Sequence, residues 1–104
     1  MNIYELRKLC EAHIMEWTQH SAKRLLQRGI SADEIDEIIM NGEIIEDYPN
    51  AYPFPACLIF GKTEKGNQLH VVCAIGEGKL WIITAYAPSL FEWTPDFKTR
   101  KENT

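Results

Sequence analysis

The sequence predicts an α+β domain in which N-terminal helices, two or three in number and including an αα-hairpin, pack on a four-stranded antiparallel sheet. Helical periodicity fills the first part of the chain, strand-like apolar runs fill the second, and the connections between those runs are too short for crossover helices. A length of 104 residues fits one such domain. We expect a peripheral helix at 1–16, a helical hairpin at 17–41, an antiparallel sheet at 43–86 and a C-terminal tail at 87–104.

The composition restricts the classes of protein to which the chain can belong. It is 45% hydrophobic and 25% charged, as is usual for globular domains. No apolar run approaches the roughly 18 residues that a membrane span needs, and residues 1–10 lack the pattern of an export signal. We therefore expect a cytoplasmic protein without a membrane partner. The formal net charge of −4 disfavours a general nucleic-acid binder but leaves room for a local basic patch.

The cysteines do not form a recognisable disulfide or metal motif. Cys10, Cys57 and Cys73 are odd in number and widely spaced, so neither a disulfide framework nor a CxxC metal site can be drawn from them. A free cysteine in a core behaves as a small apolar residue. We expect three buried free thiols, and neither a metal nor a cofactor.

The first two helices are predicted from apolar spacing and from their caps. Residues 2–14 have apolar side chains at helical spacing and predict a short first helix. For a second helix at 19–28, Thr18 is the predicted N-cap and Gly29 the left-handed residue after the C-terminus. The apolar face of this helix is predicted to comprise Ala22, Leu25 and Leu26.

The third helix has the clearest start in the sequence. Ser31 and Glu34 form an SxxE capping box, and Asn41 with Gly42 ends the helix. The negative charges in its first turns are favourable against the helix dipole and indicate stability rather than an acidic active site. Because the connection to the second helix is short, we expect the two helices to pack tightly as an αα-hairpin.

The strands begin where the apolar period changes. Residues 43–48 predict a first strand, and the prolines within 49–55 exclude regular structure there. The continuous apolar run at 56–60 predicts a central strand covered on both faces. Residues 68–86 have the densest apolar alternation in the chain and predict a hairpin of two further strands.

Two registers of this hairpin compete, because a shift of one residue changes which side chains face each other. A two-residue turn of Glu77 and Gly78 would pair His70 with Ala85, but it requires a positive φ at Glu77. A three-residue loop with Gly78 in the left-handed conformation avoids that cost and pairs His70 with Thr84. We favour the three-residue loop.

The favoured register brings three polar-tipped side chains together. His70 lies opposite Thr84 and one diagonal step from Tyr86. Imidazole exchanges protons near neutral pH, and a neighbouring phenol or hydroxyl can orient a substrate or stabilise charge. His70 and Tyr86 are therefore candidate catalytic residues, and Thr84 is a candidate substrate-binding residue. The alternative is a hydrogen-bonded core cluster that fixes the strand register.

A second candidate site lies on the second helix. His20, Arg24 and Arg28 follow one another at i+4 intervals and align along one side of the helix. A neutral His20 in the first turn can act as a base, and the guanidinium groups can hold a phosphate or carboxylate bidentately. The alternative is a solvent-facing stripe, since these residues lie roughly opposite the predicted apolar face. In the tail, Arg100 is a further candidate for binding the same anion.

Five ordered segments carry a family resemblance: HSAKRLLQRGIS at 20–31, NGEIIEDYP at 41–49, PACLIFG at 55–61, LHVVCAI at 69–75 and ITAYAP at 83–88, with Trp93 and Arg100 following. Together they resemble the small bacterial and archaeal family known as domain of unknown function 4258. In layout that family is similar to the RelE and BrnT class of ribonuclease toxins, with leading helices on an antiparallel sheet.

The resemblance implies an activity and a set of site residues. The RelE and BrnT group cleaves RNA without a metal, using scattered His, Arg, Lys and Tyr side chains. The family pattern marks the following positions here: His20, Arg24, Arg28, His70 and Tyr86. We therefore expect a metal-independent endoribonuclease of toxin type, with RNA as substrate and a cognate antitoxin as partner. The alternative is a non-catalytic protein-binding module or inactive toxin relative, including a homodimer, whose aromatic tail packs on another chain.

Overall fold

The computed structural model describes residues 1–102, which form three helices and five strands. The helices are α1 (Ile3–Glu11), α2 (Gln19–Arg28) and α3 (Ala32–Asn41). The strands are β1 (Met15–Trp17), β2 (Glu43–Tyr48), β3 (Ala56–Lys62), β4 (Gln68–Gly76) and β5 (Lys79–Tyr86). The α+β class is confirmed. Among the helices of residues 1–102, none has the length and apolarity that a membrane crossing needs.

The sheet contains one strand more than predicted. Its order is β1-β5-β4-β3-β2, and every neighbouring pair is antiparallel except β1, which lies parallel to β5. The prediction of four purely antiparallel strands is therefore wrong in this detail. Met15–Trp17 is too short to show alternation in sequence, and its pairing with Leu80, Trp81 and Ile82 joins distant parts of the chain.

The helices cover one face of the sheet and enclose the main core. α1, which we expected to be peripheral, contributes the buried Leu6 and Cys10 to that core. It also closes the end of α3, because Arg7 donates from Nε to the Ile39 carbonyl at 3.1 Å and from Nη2 to the Gly42 carbonyl at 2.9 Å. These bonds satisfy carbonyls that a helix terminus leaves without intrahelical partners. The other core side chains include Leu25, Ile35, Ile38, Ile39, Cys57, Ile59, Leu69, Val71, Cys73, Leu80, Ile82 and Ala85.

The predicted helix caps are confirmed. Thr18 caps α2 and Ser31 caps α3, each through a capping box. Gly29 adopts a φ of 68°, and the next N–H, that of Ile30, donates to the carbonyl of Leu25 at 3.0 Å. This is the Schellman arrangement that a glycine favours at the end of a helix.

The packing of α2 differs from the prediction. Ser21 and Leu25 are its buried residues, whereas Ala22 is exposed and Leu26 is 82% exposed. α2 packs mainly on β5, while α3 packs on α1, β3 and β4. The short connection is present, but the two helices lie over different parts of the sheet rather than forming a tight pair. The buried side chains of both helices, among them Leu25 on α2 and Ile38 on α3, belong to the core against the sheet.

The turn between β4 and β5 contains two residues rather than three. Glu77 and Gly78 adopt φ values of 56° and 72°. A bulge in β5 then shifts the register, so that His70 pairs with Tyr86. The favoured three-residue loop and its pairing of His70 with Thr84 are therefore wrong. The primed turn matches the twist of the flanking strands, which outweighs the cost of a left-handed glutamate.

The C-terminal tail covers part of the opposite face of the sheet. Trp93 is 1% exposed and forms an isolated β-bridge with Arg100. Phe97 is half-buried, whereas Phe91 is 93% exposed. The tail is thus anchored on its own sheet through Trp93 and Phe97. The last two residues of the predicted tail, 103–104, lie outside the described residues.

Candidate functional site

The edge of β5 binds the last side chain of α2. β1 pairs with β5 as far as Ile82, so the residues that follow lie beyond the edge strand. Arg28 occupies this position: its Nη1 donates to Thr84 Oγ1 at 3.0 Å and to the Ala85 carbonyl at 2.8 Å. Two residues predicted separately as substrate-binding residues, Arg28 and Thr84, are therefore in contact.

The guanidinium of Arg28 retains hydrogen-bonding capacity. Arginine has five N–H donors in a planar fork, and both of these bonds use Nη1. Within residues 1–102, Nε and Nη2 donate to no protein atom, and no carboxylate oxygen lies within 4 Å. That side of the fork has the geometry to bind two phosphate oxygens. Arg28 is thus held in position by neutral acceptors and forms no ion pair with the residues from 1 to 102.

Arg28 lines a cleft of about 700 Å³. The cleft lies between the α2–α3 connection, the start of β4 and the residues around the end of β5. Tyr86 lines it, and so do three further polar residues: Glu34, Asn67 and Gln68. A cation, a phenol, a carboxylate and two amides therefore share one solvent-accessible space.

Glu34 gives the cleft an ionised carboxylate. Its Oε1 accepts the Ser31 backbone N–H at 3.1 Å, and its Oε2 accepts from Asn67 Nδ2 at 3.1 Å. The hydrogen bond from the Ser31 backbone and then that from Asn67 lower the pKa of Glu34 below its usual value. Each carboxylate oxygen has two acceptor positions, so Oε2 can accept a second proton donor.

Tyr86 lies between the cleft and His70. The two side chains are directly opposite on β4 and β5, with 3.3 Å between the Tyr86 hydroxyl and His70 Nδ1 and 5.3 Å between the ring centroids. Burial raises the pKa of Tyr86, so the phenol keeps its proton at neutral pH. The expectation that these two rings share one side of the sheet is confirmed, although by a different register.

His70 is 0% exposed. Its Nε2 lies 2.7 Å from the Phe97 carbonyl, to which it donates, leaving Nδ1 to accept from Tyr86. The ring also meets Trp93 edge-on at a centroid distance of 4.4 Å, and burial lowers the pKa of the imidazole. In this arrangement neither ring nitrogen is open to a substrate. The catalytic role predicted for His70 stays a prediction, and its observed contacts position Tyr86 and the tail.

Arg100 is paired within the protein. Its Nε and Nη2 donate to the Glu46 carboxylate at 2.9 and 3.1 Å, and the guanidinium lies 4.7 Å above the Trp93 ring. Burial raises the pKa of Glu46, but the hydrogen bonds from Arg100 and Tyr48 outweigh burial and lower it. The fork of Arg100 is thus filled by a carboxylate, and Arg100 does not line the cleft around Arg28.

His20 and Arg24 are exposed side chains on α2. With 3.6 residues per turn, Arg28 lies about 60° around the helix from the buried Leu25, Arg24 about 100° and His20 about 140°. The three side chains therefore turn gradually away from the sheet toward the start of α2. At 1.5 Å per residue, Arg24 is about 6 Å and His20 about 12 Å from Arg28 along the axis. His20 is thus exposed on α2 and does not line the cleft around Arg28, whereas His70 is buried.

Within residues 1–102 there is no group of three His, Cys, Asp or Glu side chains that could hold a metal ion. Cys10, Cys57 and Cys73 are free and buried, as predicted. Burial raises the pKa of Cys10 to about 12, which leaves its thiol protonated and unreactive.

Comparison with protein families adds one finding to this geometry. A family model described as a domain of unknown function (DUF4258) matches residues 17–87, which is more than half of the chain. The chain belongs to the DUF4258 family. This confirms the family resemblance inferred from the motifs, whereas the likeness of DUF4258 to RelE and BrnT toxins stays a prediction. A search of the curated proteins found no match to this chain.

The DUF4258 match includes most of the residues that line the cleft, but it leaves out α1 and most of the C-terminal tail. It runs from the end of β1 to the residue after β5 and so contains Arg28, Thr84 and Tyr86. α1 and most of the tail, including Trp93 and Arg100, lie outside it. The contact between α2 and the β5 edge therefore belongs to the family segment.

Several polar residues of the DUF4258 cleft were not singled out from the sequence. Glu34 was interpreted as a cap alone, because the capping box fully explains a glutamate at that position. Asn67 lies in the connection between β3 and β4, and its bond to Glu34 joins residues 33 positions apart. No local sequence signal reports such a contact.

Proposed function

We propose that this DUF4258 chain is a metal-independent endoribonuclease of the toxin type, in which Arg28 binds the scissile phosphate. The observation that supports this most strongly is the state of the Arg28 guanidinium. Thr84 and Ala85 hold it by one nitrogen, and its remaining donors are directed to no protein acceptor within residues 1–102. A pre-positioned fork of this kind is suited to a phosphodiester.

The proposed reaction is a phosphoryl transfer within the RNA. The ribose 2′-oxygen bonds to phosphorus, and the bond from phosphorus to the 5′-oxygen of the next nucleotide breaks. A base accepts the 2′-hydroxyl proton and an acid supplies a proton to the departing 5′-oxygen. The products are a 2′,3′-cyclic phosphate and a 5′-hydroxyl. Arg28 stabilises the charge that develops on the non-bridging oxygens.

Glu34 and Tyr86 suit the roles of base and acid. Both line the cleft with Arg28. At neutral pH a glutamate is ionised and a tyrosine is protonated, and the lowered pKa of Glu34 and the raised pKa of Tyr86 keep them in these forms. The 3.3 Å separation from His70 is long for an O–H donor, so the Tyr86 hydroxyl can turn to a substrate oxygen. His70 then serves as a positioning residue for Tyr86.

His20 and Arg24 suit phosphates that neighbour the scissile one. Their axial separations from Arg28, about 12 and 6 Å, place them along the path of a strand rather than at one reacting centre. We therefore assign Arg24 to substrate binding, and we move His20 from catalysis to substrate binding. Arg100 is given no direct role, because Glu46 fills its fork.

The test is cleavage of a labelled single-stranded RNA in excess EDTA. We expect cleavage by the wild-type protein, a loss of at least about 100-fold in Arg28→Ala, and no loss in the matched control Lys23→Ala, whose exposed side chain lies on the same helix outside the cleft. A DNA strand of the same sequence should remain intact, since it has no 2′-hydroxyl. Equal rates for the wild type and Arg28→Ala would reject the proposal.

A second candidate function, protein binding, is favoured by the outer surface of the tail. Leu90 and Phe91 are adjacent and 53% and 93% exposed, and contiguous apolar surface in contact with solvent is a mark of interaction sites. Sedimentation equilibrium of the wild type and Phe91→Ser would test self-association. We expect Phe91→Ser to be monomeric if a second copy binds there, and identical sedimentation of the two proteins would exclude a homodimer through Phe91.

A further inference from the structure

A second pocket, of about 410 Å³, opens on the sheet face opposite the helices. Its walls are aromatic and apolar: Tyr52, Phe54, Trp81 and Ile83 line it, together with Thr18 at the start of α2. Phe54 and Trp81 are stacked, with 6.0 Å between centroids and 30° between planes. Tyr52 is 97% exposed and Ile83 43% exposed, so much of this apolar surface is in contact with solvent.

The pocket continues into the proposed active site along two elements. On β5, Ile83 lines the pocket and the next residue, Thr84, holds Arg28. At about 3.3 Å per residue, Tyr86 lies about 10 Å from Ile83 along the strand. On α2, Thr18 lines the pocket, and the stripe of His20, Arg24 and Arg28 leads away from it. The pocket and the Arg28 cleft thus lie at opposite ends of the surface formed by β5 and the stripe of His20, Arg24 and Arg28 on α2.

We infer that this pocket binds a nucleobase of the single-stranded RNA whose phosphate Arg28 holds. This inference rests on the proposed function and specifies its substrate as a strand with an unpaired, unstacked base. Bases stack on aromatic side chains with little regard to sequence. The charged side chain that lines the pocket is a carboxylate, that of Glu77, so the pocket suits a neutral base while the phosphates follow the α2 stripe.

The test uses a short single-stranded 2′-O-methyl RNA, which cannot be cleaved through its 2′-oxygen, with a fluorescent label for anisotropy. We expect Tyr52→Ala to weaken binding roughly 5- to 100-fold, as the loss of one base–aromatic stack does. Tyr52→Phe, which keeps the ring, should bind like the wild type. Because the Tyr52 side chain is 97% exposed, its removal leaves the fold intact.

An abasic series identifies the base. Each oligonucleotide of the series lacks one base, and we expect one of them to bind the wild-type protein more weakly than the intact strand does. The affinity of that oligonucleotide should be the same for Tyr52→Ala as for the wild type, because the base that Tyr52 contacts is already missing. Equal affinity of all abasic strands for the wild type would overturn the inference. If Tyr52→Ala binds the oligonucleotide normally and Arg28→Ala does not, the base site is rejected and the proposed function stays in place.

If the wild-type protein does not bind the oligonucleotide, both the base site and the proposed function are rejected. If the pocket binds an apolar dye but no oligonucleotide, the inference of a base site is overturned, and the pocket would instead suit an apolar side chain of a protein partner.

Discussion

At the scale of single residues, Arg28 and Arg100 differ in what occupies their guanidinium groups. Arg100 donates to the two oxygens of Glu46, so its charge is neutralised inside the protein. Arg28 is held by a hydroxyl and a backbone carbonyl, which orient the group without neutralising it. An external anion is therefore the natural partner of Arg28 but not of Arg100.

Replacing Glu34 by glutamine tests the proposed base with little change in structure. Glutamine also completes a capping box, so we expect the free energy of unfolding to change by less than about 0.5 kcal/mol. The rate of RNA cleavage should fall at least about 100-fold, since general-base catalysis contributes that much or more. Asp33→Asn, in the same turn of α3 but outside the cleft, should cleave RNA normally. An unchanged rate for Glu34→Gln would remove this residue from the mechanism.

His70 should make stability depend on pH. Burial lowers its pKa in the folded protein, while the unfolded chain keeps the usual value of about 6.5. As the pH falls through about 6.5, the unfolded state takes up a proton that the folded state resists, so the folded state loses stability. Chemical denaturation at pH 7.5 and pH 5.5 should show this loss for the wild type. A His70→Gln variant should lose less, and an equal loss in both proteins would contradict the assignment.

Among the secondary-structure elements, those predicted correctly depend on residues that are close together in the sequence. The caps of α2 and α3 depend on residues within one turn, and the strands 43–48 and 68–86 depend on alternation, so neighbouring residues are sufficient to predict them. β1 and the bulge in β5 depend on pairing with distant segments. The tail also depends on distant contacts. Its apolar residues predicted that it would pack against the domain or a partner, but they did not predict the contact between Trp93 and His70.

The tail should stabilise the fold through Trp93 rather than Phe91. Trp93 is 1% exposed and packs on His70 and Arg100, whereas Phe91 is 93% exposed. Truncating a buried large aromatic costs about 3–5 kcal/mol, so Trp93→Ala should be destabilised by that amount. Phe91→Ala should stay within about 0.5 kcal/mol of the wild type. Equal effects in urea denaturation would show that the tail does not pack as described.

At the scale of the whole molecule, the charge distribution sets the kind of RNA binding to expect. The net charge is −4, so attraction to RNA must come from a local group of cations rather than from the overall field. The α2 stripe supplies such a group at one edge of the sheet. This edge was predictable in part: the i+4 spacing of the stripe was visible in sequence, but its position beside Thr84 followed from the unpredicted packing of α2.

Salt dependence should therefore be shallow. Two to three phosphates held by the α2 stripe predict a slope of roughly −1.5 to −2 for log affinity against log salt concentration with single strands. Anisotropy titrations of a 2′-O-methyl oligonucleotide would give this slope. The salt concentration would be varied from about 50 to about 200 mM, a range over which counterion release changes affinity measurably. Arg24→Ala should reduce its magnitude by about 0.7. A slope several times steeper would indicate contact with many more phosphates and would contradict binding by the α2 stripe.

The most direct test of the account uses a DNA oligonucleotide that contains a single ribonucleotide, incubated with the protein in EDTA. We expect one cut, on the 3′ side of that ribose, with a 2′,3′-cyclic phosphate on the upstream product. For Arg28→Ala we expect a rate at least about 100-fold lower at unchanged melting temperature. An intact strand with the wild-type protein, or equal cutting by Arg28→Ala, would contradict the claim that Arg28 binds the scissile phosphate.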